Sequence, residues 1–189
     1  MLTTFFLSFP RCRTAWLSMY LTGMGVYCFH ELWRTCSDID SFRDAMESKG
    51  PGPVANADPT NLLFLDQLQE AFPDAIFIEI IRPVDDVMQA CIETYGPGDY
   101  THLIDFYARA KKLFVPNISL TVPFDEWNEQ MSSKIFDMTS DGDVAFNHDW
   151  HTRMHQLNIA ITHERVEEDK ALAKSGEFLH MAEAAQRLS

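Results

Sequence analysis

The chain has 189 residues, of which 46% are hydrophobic and 23% are charged, and its formal net charge is −13. This length and composition are typical of one globular domain with a sizeable core. So acidic a chain is a poor general binder of nucleic acid, because non-specific affinity comes from Lys and Arg side chains that neutralise phosphates. Any phosphate is therefore expected in a local basic pocket, and no nucleic-acid partner is predicted.

β-rich runs and helical patterns alternate along the first part of the chain. The predicted strands are Thr3–Phe9, Gly25–Phe29, Val54–Ala57, Ala75–Arg82 and Asn117–Val122. The predicted helices are Arg13–Met24, Ile39–Ser48, Thr60–Ala71, Val84–Glu93 and Asp99–Phe114. Strands that alternate with helices indicate an α/β protein with a parallel sheet and helices on both faces.

After Pro123 this alternation stops. The stretch "FDEWNEQMSSKIF" predicts a helix, and residues 149–188 predict one or two charged helices broken near Ser175–Gly176. We therefore expect a single domain over residues 1–189, with a sheet core at 1–140 and a helical part at 141–189.

The first predicted crossover, "FFLSFPRCRTAWLSMYL", joins a strand directly to a helix. A helix N-terminus presents free N–H groups and a partial positive charge, and the guanidinium groups of Arg11 and Arg13 suit phosphate or sulfate oxygens. Cys12, Thr14 and Ala15 are small enough to let an anion approach the backbone. The turn is thus a candidate oxyanion site, and a plain turn with two solvated arginines is the alternative.

Its sequence resembles the phosphosulfate-binding loop of the sulfotransferase family, usually written S-x-P-R/K-S-G-T/S-T-W-L. In "SFPRCRTAWL" the matching residues are Pro10, Arg11, Thr14, Trp16 and Leu17. Cys12 replaces the usual serine, and Arg13 replaces the usual glycine.

Two later segments extend this resemblance to residues 3–140. In "LQEAFPDAIFIEIIRPVDDVMQACI", Arg82 matches the arginine that follows a strand in that family, and Ala90 lies where a serine is usual. In "NISLTVPFDEWNEQ", the places of the family's Y-E-D are taken by Phe124, Asp125 and Glu126.

The resemblance implies a three-layer fold of the P-loop NTPase type, with a helical C-terminal extension. It also implies transfer of a sulfuryl group from 3′-phosphoadenosine 5′-phosphosulfate (PAPS) to a hydroxyl or amine of a small acceptor, and it allows a homodimer. The 5′-phosphosulfate would be held by Arg11, Arg13 and the backbone of Cys12, Thr14, Ala15 and Trp16. Arg82 would hold the 3′-phosphate, with Ala90 in the place of its usual partner. No metal is expected, because backbone amides and the catalytic Arg11 would replace lysine and Mg²⁺.

The family's base lies at the end of an early strand, and two places match it. Glu31, in "GVYCFHELW", is the favoured base, with His30 as its partner or as an alternative base. The alternative interpretation is that Glu31 is a carboxylate stabilised by the dipole at a helix start. Asp58 is the second candidate, near the histidine of the family's K-T-H-x-P, although Ala55 and Ala57 occupy the places of that lysine and histidine. An N-cap of the next helix is the alternative for Asp58.

"FNHDWHTRMHQLN" places His148, His151 and His155 on one face of a predicted helix. A divalent metal would suit such a cluster, but no carboxylate stands at a matching position on that face. We therefore predict no metal site and expect these histidines to line the acceptor pocket.

The hydropathy pattern predicts neither a membrane span nor a secretory leader. No Lys or Arg precedes the first apolar run, and Pro10 and Arg11 interrupt it after about nine residues. The four cysteines lack metal-binding spacing, and a chain of this length needs no disulfide, so we expect reduced thiols, a cytoplasmic location and no membrane partner.

Two other functions stay open at this point. One is a nucleotide or nucleoside kinase, although the chain lacks the Gly-x-x-x-x-Gly-Lys-Ser/Thr pattern. The other is a non-catalytic nucleotide-binding module, which is suggested by Ala55, Ala57 and Ala90 at places that are usually functional.

Overall fold

The computed structural model describes residues 1–113, 117–140, 142, 144–157 and 166–167. Its centre is one sheet of five parallel strands in the order β2-β3-β1-β4-β5. The strands are β1 Thr3–Ser8, β2 Tyr27–His30, β3 Val54–Ala57, β4 Ile76–Ile81 and β5 Ile118–Pro123. The predicted parallel α/β sheet is confirmed, and the central strand β1 has all six residues buried.

Seven α-helices lie within the described ranges. They are α1 Thr14–Gly23, α2 Ile39–Glu47, α3 Leu65–Ala71, α4 Val84–Tyr95, α5 Thr101–Leu113, α6 Glu129–Thr139 and α7 His148–Gln156. Three short 3₁₀ helices join them at Leu32–Arg34, Pro59–Phe64 and Phe124–Glu126. The predicted helix Thr60–Ala71 is therefore a 3₁₀ helix followed by α3, and the helix predicted from Phe124 begins only at Glu129.

The two faces of the sheet pack into separate apolar clusters. Phe5 and Leu7 of β1 pack with residues of α2, α3 and α5. Phe6 of the same strand packs with residues of α1, α4, α6 and α7. Successive residues of a strand point to opposite faces, so helices cover both sides of the sheet and form three layers.

The parallel strands bring their carboxyl ends to one edge. Ser8, His30, Ala57, Ile81 and Pro123 end the five strands there. In open α/β sheets, ligands bind in the crevice at this edge. The segments that follow these strands are consequently the ones that can form a site.

Only part of the predicted C-terminal helical region lies within the described residues. Helix α7 covers its first turns, whereas the predicted break at Ser175–Gly176 lies outside them. Among the described helices, none is long and apolar enough to cross a membrane.

Candidate functional site

The turn between β1 and α1 has an unusual backbone. Arg11 has φ 66° and Arg13 has φ 62°, both in the left-handed region, which residues other than glycine rarely adopt. Arg13 is the N-cap of α1, and its side chain makes no capping hydrogen bond. The first N–H groups of α1 therefore have no side-chain cap, as an anion-binding helix start requires.

Arg82, which directly follows β4, reaches into this turn. Its Nη1 donates a hydrogen bond to the carbonyl oxygen of Arg11 at 2.5 Å. Its guanidinium carbon lies 4.4 Å from the centroid of the Phe124 ring, and that of Arg13 lies 4.8 Å from the same centroid. The turn, the end of β4 and the end of β5 thus meet at one place.

Three buried polar atoms around this turn have no hydrogen-bond partner among the described residues. They are Ser8 Oγ, Arg11 Nε and Arg82 Nε. Buried polar groups are almost always bonded, so each unbonded one needs an explanation, such as a ligand or ion. Their gathering beside the start of α1 fits a tetrahedral oxyanion with several acceptor oxygens.

The guanidinium groups of Arg11 and Arg82 also act on two neighbouring thiols. Burial raises the pKa of Cys12 to about 12, against the opposing positive charges of Arg82 and Arg11. Burial likewise raises the pKa of Cys91, and the same two arginines oppose it. Arg11 and Arg82 therefore lie within electrostatic reach of the same thiols, on the same side of the sheet. All four cysteines of the chain are free and buried.

The other residues predicted to hold the phosphosulfate contribute in different ways. The side chains of Cys12 and Trp16 are buried, and Trp16 Nε1 donates to the carbonyl oxygen of Met154 at 2.9 Å. Ala15 is half-buried and its carbonyl accepts from Ser18 Oγ at 2.9 Å. These residues can therefore reach a ligand only through backbone groups, as the sequence resemblance implied.

Ala90, predicted near the 3′-phosphate, lies on α4 and is half-buried beside the buried Cys91. Its methyl group offers no hydrogen bond. Arg82 is therefore the residue that would have to carry the recognition of an anion at this end of the site.

The predicted base candidates His30 and Glu31 lie at the end of β2, across from the start of α1. His30 Nε2 is 3.3 Å from Thr14 Oγ1 and 3.8 Å from Glu31 Oε1. The other carboxylate oxygen of Glu31 is 3.0 Å from Arg34 Nη1. The imidazole therefore stands between a residue of the candidate cradle and a carboxylate that an arginine holds in place.

Asp58 is enclosed and has a structural role. It is 1% exposed, and its carboxylate accepts hydrogen bonds from the backbone N–H of Thr60 at 2.8 Å and of Trp33 at 3.3 Å. The interpretation of Asp58 as an N-cap is confirmed. Burial raises the pKa of Asp58 to about 6, and the negative charge of Glu31 adds to this rise. Of the three candidate bases, Asp58 is the buried one.

Helix α7 packs over α1 through its histidines and a tryptophan. His151 is buried with Nδ1 3.0 Å from Tyr20 Oη, and its ring centroid lies 4.3 Å from that of His155. His155 contacts the Trp16 ring at 5.1 Å. Burial lowers the pKa of His155, and the charges of His151 and Arg13 add to this. His151 therefore belongs to the interior, and the exposed His155 is the histidine close to the turn.

His148 is exposed at the start of α7 and lies away from this interior contact. Its Nδ1 is 2.6 Å from Glu129 Oε1. Across the residues that the structure describes, no three His, Cys, Asp or Glu side chains form a group that could hold a metal ion.

The sequence analysis assigned no role at the site to three residues that contribute to it. Ser8 ends β1 with a buried hydroxyl, Arg34 pairs with Glu31, and Phe124 contacts two arginines. Position at the end of a strand could have indicated Ser8 and Phe124. The pairing of Arg34 depends on a 3₁₀ helix too short to be read from the sequence.

No protein-family model and no curated protein sequence matches this chain.

Proposed function

We propose that this chain is a sulfotransferase of the P-loop type that transfers a sulfuryl group from PAPS to a hydroxyl or amine of a small acceptor. One observation carries the proposal: Arg82, which follows β4, is bonded to the β1–α1 turn, where buried donor atoms of Ser8, Arg11 and Arg82 have no partner among the described residues. A ligand with anionic groups at two places would suit such an arrangement.

The kind of donors at the turn favours a sulfuryl group carried on a nucleotide. The turn has guanidinium groups and helix N–H groups but no lysine of the Walker type. Such donors stabilise charge on transferred oxygens without a metal ion. In the proposed reaction the acceptor oxygen or nitrogen bonds to sulfur, and the bond from sulfur to the bridging phosphate oxygen breaks. Adenosine 3′,5′-bisphosphate leaves with the bonding pair.

The acceptor's proton needs a base close to the turn. The geometry favours His30 as this base and Glu31 as its partner, because one oxygen of Glu31 is engaged by Arg34. His30 is exposed and its Nε2 is near Thr14, the first residue of α1. A nearby carboxylate stabilises the protonated form of an imidazole.

Calorimetric titration with adenosine 3′,5′-bisphosphate tests the proposal. We expect binding to the wild type and a loss of about tenfold or more in Arg82→Ala, since charge-assisted hydrogen bonds contribute about 1.5–3 kcal/mol. Arg82→Lys keeps the charge but lacks the planar fork, so it should recover only part of the affinity. Arg43→Ala is the matched control, because Arg43 lies on α2 and pairs with the exposed Asp40.

Three outcomes would contradict the proposal. They are no heat at millimolar ligand, unchanged binding in Arg82→Ala that folds normally by circular dichroism, and turnover of Mg·ATP with an acceptor but none of PAPS. The last result would favour a kinase. Binding of the bisphosphate without turnover of PAPS on any acceptor would favour the non-catalytic module.

A further inference from the structure

Phe124 lies where β5 ends, and two arginine side chains from different elements contact its ring. Arg82 follows β4, whereas Arg13 belongs to the β1–α1 turn, and their guanidinium carbons lie 4.4 Å and 4.8 Å from the ring centroid. Two like charges repel when they approach one another. The negative face of an aromatic ring attracts cations and can offset that repulsion.

The ring itself has a fixed place in the molecule. Phe124 is half-buried and packs against the core cluster that contains residues of α1 and α4. Three residues further on, the Trp127 ring contacts the Trp16 ring at 5.7 Å, and Trp127 Nε1 donates to Ser132 Oγ at 2.9 Å. The segment that carries Phe124 is therefore anchored to α1, the helix whose start faces the candidate ligand.

The two arginines depend on the ring to different degrees. Arg82 is half-buried and also bonds to the carbonyl oxygen of Arg11. Arg13 is exposed, and its backbone is in the left-handed region. A long exposed side chain has considerable conformational freedom, and contact with the ring reduces it.

We infer that Phe124 is a positioning residue that fixes the separation of the Arg13 and Arg82 guanidinium groups, so that the pair prefers a ligand with two anionic groups to a ligand with one. The identity of the nucleotide ligand rests on the proposed function. The contact of the two guanidinium groups with the Phe124 ring does not depend on it. The role of the ring is to hold donors in place, since Phe124 has no group that could itself bind phosphate.

Binding preference separates positioning from packing. Wild type, Phe124→Leu and Phe124→Tyr are titrated with adenosine 3′,5′-bisphosphate, AMP, pyrophosphate and inorganic phosphate. Leucine keeps an apolar side chain but removes the ring face, and we expect it to lower the preference for the bisphosphate over AMP about tenfold. Tyrosine keeps the ring and should retain the preference within about twofold. Phe106→Leu is the control, because Phe106 is half-buried against the other core cluster.

Each result decides the inference. A change in packing alone would weaken the binding of both nucleotides equally. An unaltered preference for the bisphosphate in Phe124→Leu therefore overturns the inference. If Phe124→Leu does not fold, Phe124→Met is used in its place. If the wild type binds neither nucleotide but prefers pyrophosphate to inorganic phosphate, and Phe124→Leu reduces that preference, the proposed function fails and the inference stands. Wild type that binds none of the four probes overturns both.

Discussion

Arg13 combines a strained backbone with a side chain placed at the candidate site. Its φ of 62° lies in the left-handed region, which costs about 1 kcal/mol for a residue with a Cβ. Glycine, the residue usual at this place in the loop that the sequence resembles, adopts it freely. Unlike glycine, Arg13 provides a guanidinium group, which lies over the Phe124 ring. Such strain is characteristic of functional sites.

Substitution of Arg13 separates these two effects. Arg13→Gly and Arg13→Ala both remove the guanidinium group, so both should weaken binding of adenosine 3′,5′-bisphosphate to a similar degree. Only glycine relieves the backbone, and Arg13→Gly should therefore be more stable than Arg13→Ala by about 1 kcal/mol. Urea denaturation measures the difference, and equal stability of the two variants would show that the turn is not strained at this residue.

The residue types of the site could be predicted from sequence, but their surroundings could not. Arg11 lies in the predicted turn after β1. Arg13 was predicted as the first residue of a helix and Arg82 as the last residue of a strand, and each lies one position outside α1 and β4. The enclosure of Asp58 could not be foreseen, because one of its hydrogen bonds comes from Trp33, a residue of a 3₁₀ helix that follows another strand. Contacts of this kind depend on tertiary packing, which local patterns do not contain.

Asp58 should give the protein a characteristic dependence of stability on pH. Its pKa rises from 3.8 to about 6 on folding, so the folded state binds its proton more tightly than the unfolded state does. The stabilising contribution is complete below about pH 4 and is lost as the pH rises through about 6, by about 1–3 kcal/mol. Asp58→Asn, which keeps the capping oxygen, should lose this dependence.

The measurement for Asp58 is the free energy of unfolding at a series of pH values. Between pH 4 and pH 7, Asp58→Asn should gain about 1–3 kcal/mol relative to the wild type. Asp74→Asn, a change at an exposed carboxylate, is the control for general charge effects. A constant difference between Asp58→Asn and wild type would show that the carboxyl group titrates alike in both states.

At the scale of elements, the strands and long helices follow from local patterns, whereas the short connections do not. The β-rich runs became β1 to β5, and α2 begins at a capping box formed by Asp38 and Ser41. The helix predicted from Phe124 was placed too early. Asn128 caps α6, with Oδ1 accepting from the N–H of Met131 at 3.0 Å, and the backbone of the preceding residue, Trp127, is extended. The residues from Phe124 to Asn128 are also compatible with a helix, so the sequence pattern did not indicate that Asn128 is the N-cap.

The contact of α7 with α1 depends on the absence of a side chain at Gly23. A Cβ atom at Gly23 would lie 2.2 Å from Cζ2 of Trp150, far inside van der Waals contact. Trp150 Nε1 also donates to the carbonyl oxygen of Tyr20 at 2.9 Å. We therefore expect Gly23→Ala to displace α7 and to lower the free energy of unfolding by about 1–3 kcal/mol.

A double-mutant cycle with Trp150→Ala tests this expectation for Gly23. The added methyl group should cost much less when the indole ring is absent, so the two changes should not be additive. Gly52→Ala, at a position with nothing within 4 Å of the added Cβ, is the matched control. Full additivity of Gly23→Ala and Trp150→Ala would mean that the two residues do not pack as described.

At the scale of the whole molecule, a strongly acidic chain concentrates positive charge at one edge of its sheet. The net charge is −13, yet Arg11, Arg13 and Arg82 converge where β1, β4 and β5 end. Sequence reasoning could predict a shared edge, because carboxyl ends of parallel strands lie together. It could not predict that β1 and β4 are neighbours, since the strand order is decided by the packing of all helices on the sheet.

Because the site joins elements distant in sequence, a ligand that bridges them should stabilise the whole fold. A ligand present at a hundred times its Kd stabilises by about 2.7 kcal/mol, which corresponds to a rise in Tm of about 5–10 °C for a chain of this size. We expect this rise with adenosine 3′,5′-bisphosphate and a smaller one with AMP at the same concentration, since AMP lacks the 3′-phosphate proposed to contact Arg82. Arg82→Ala should reduce the larger shift to that of AMP, and Arg43→Ala should leave both shifts unchanged. Equal shifts from the two nucleotides in the wild type would mean that the turn after β1 and the end of β4 do not share one ligand.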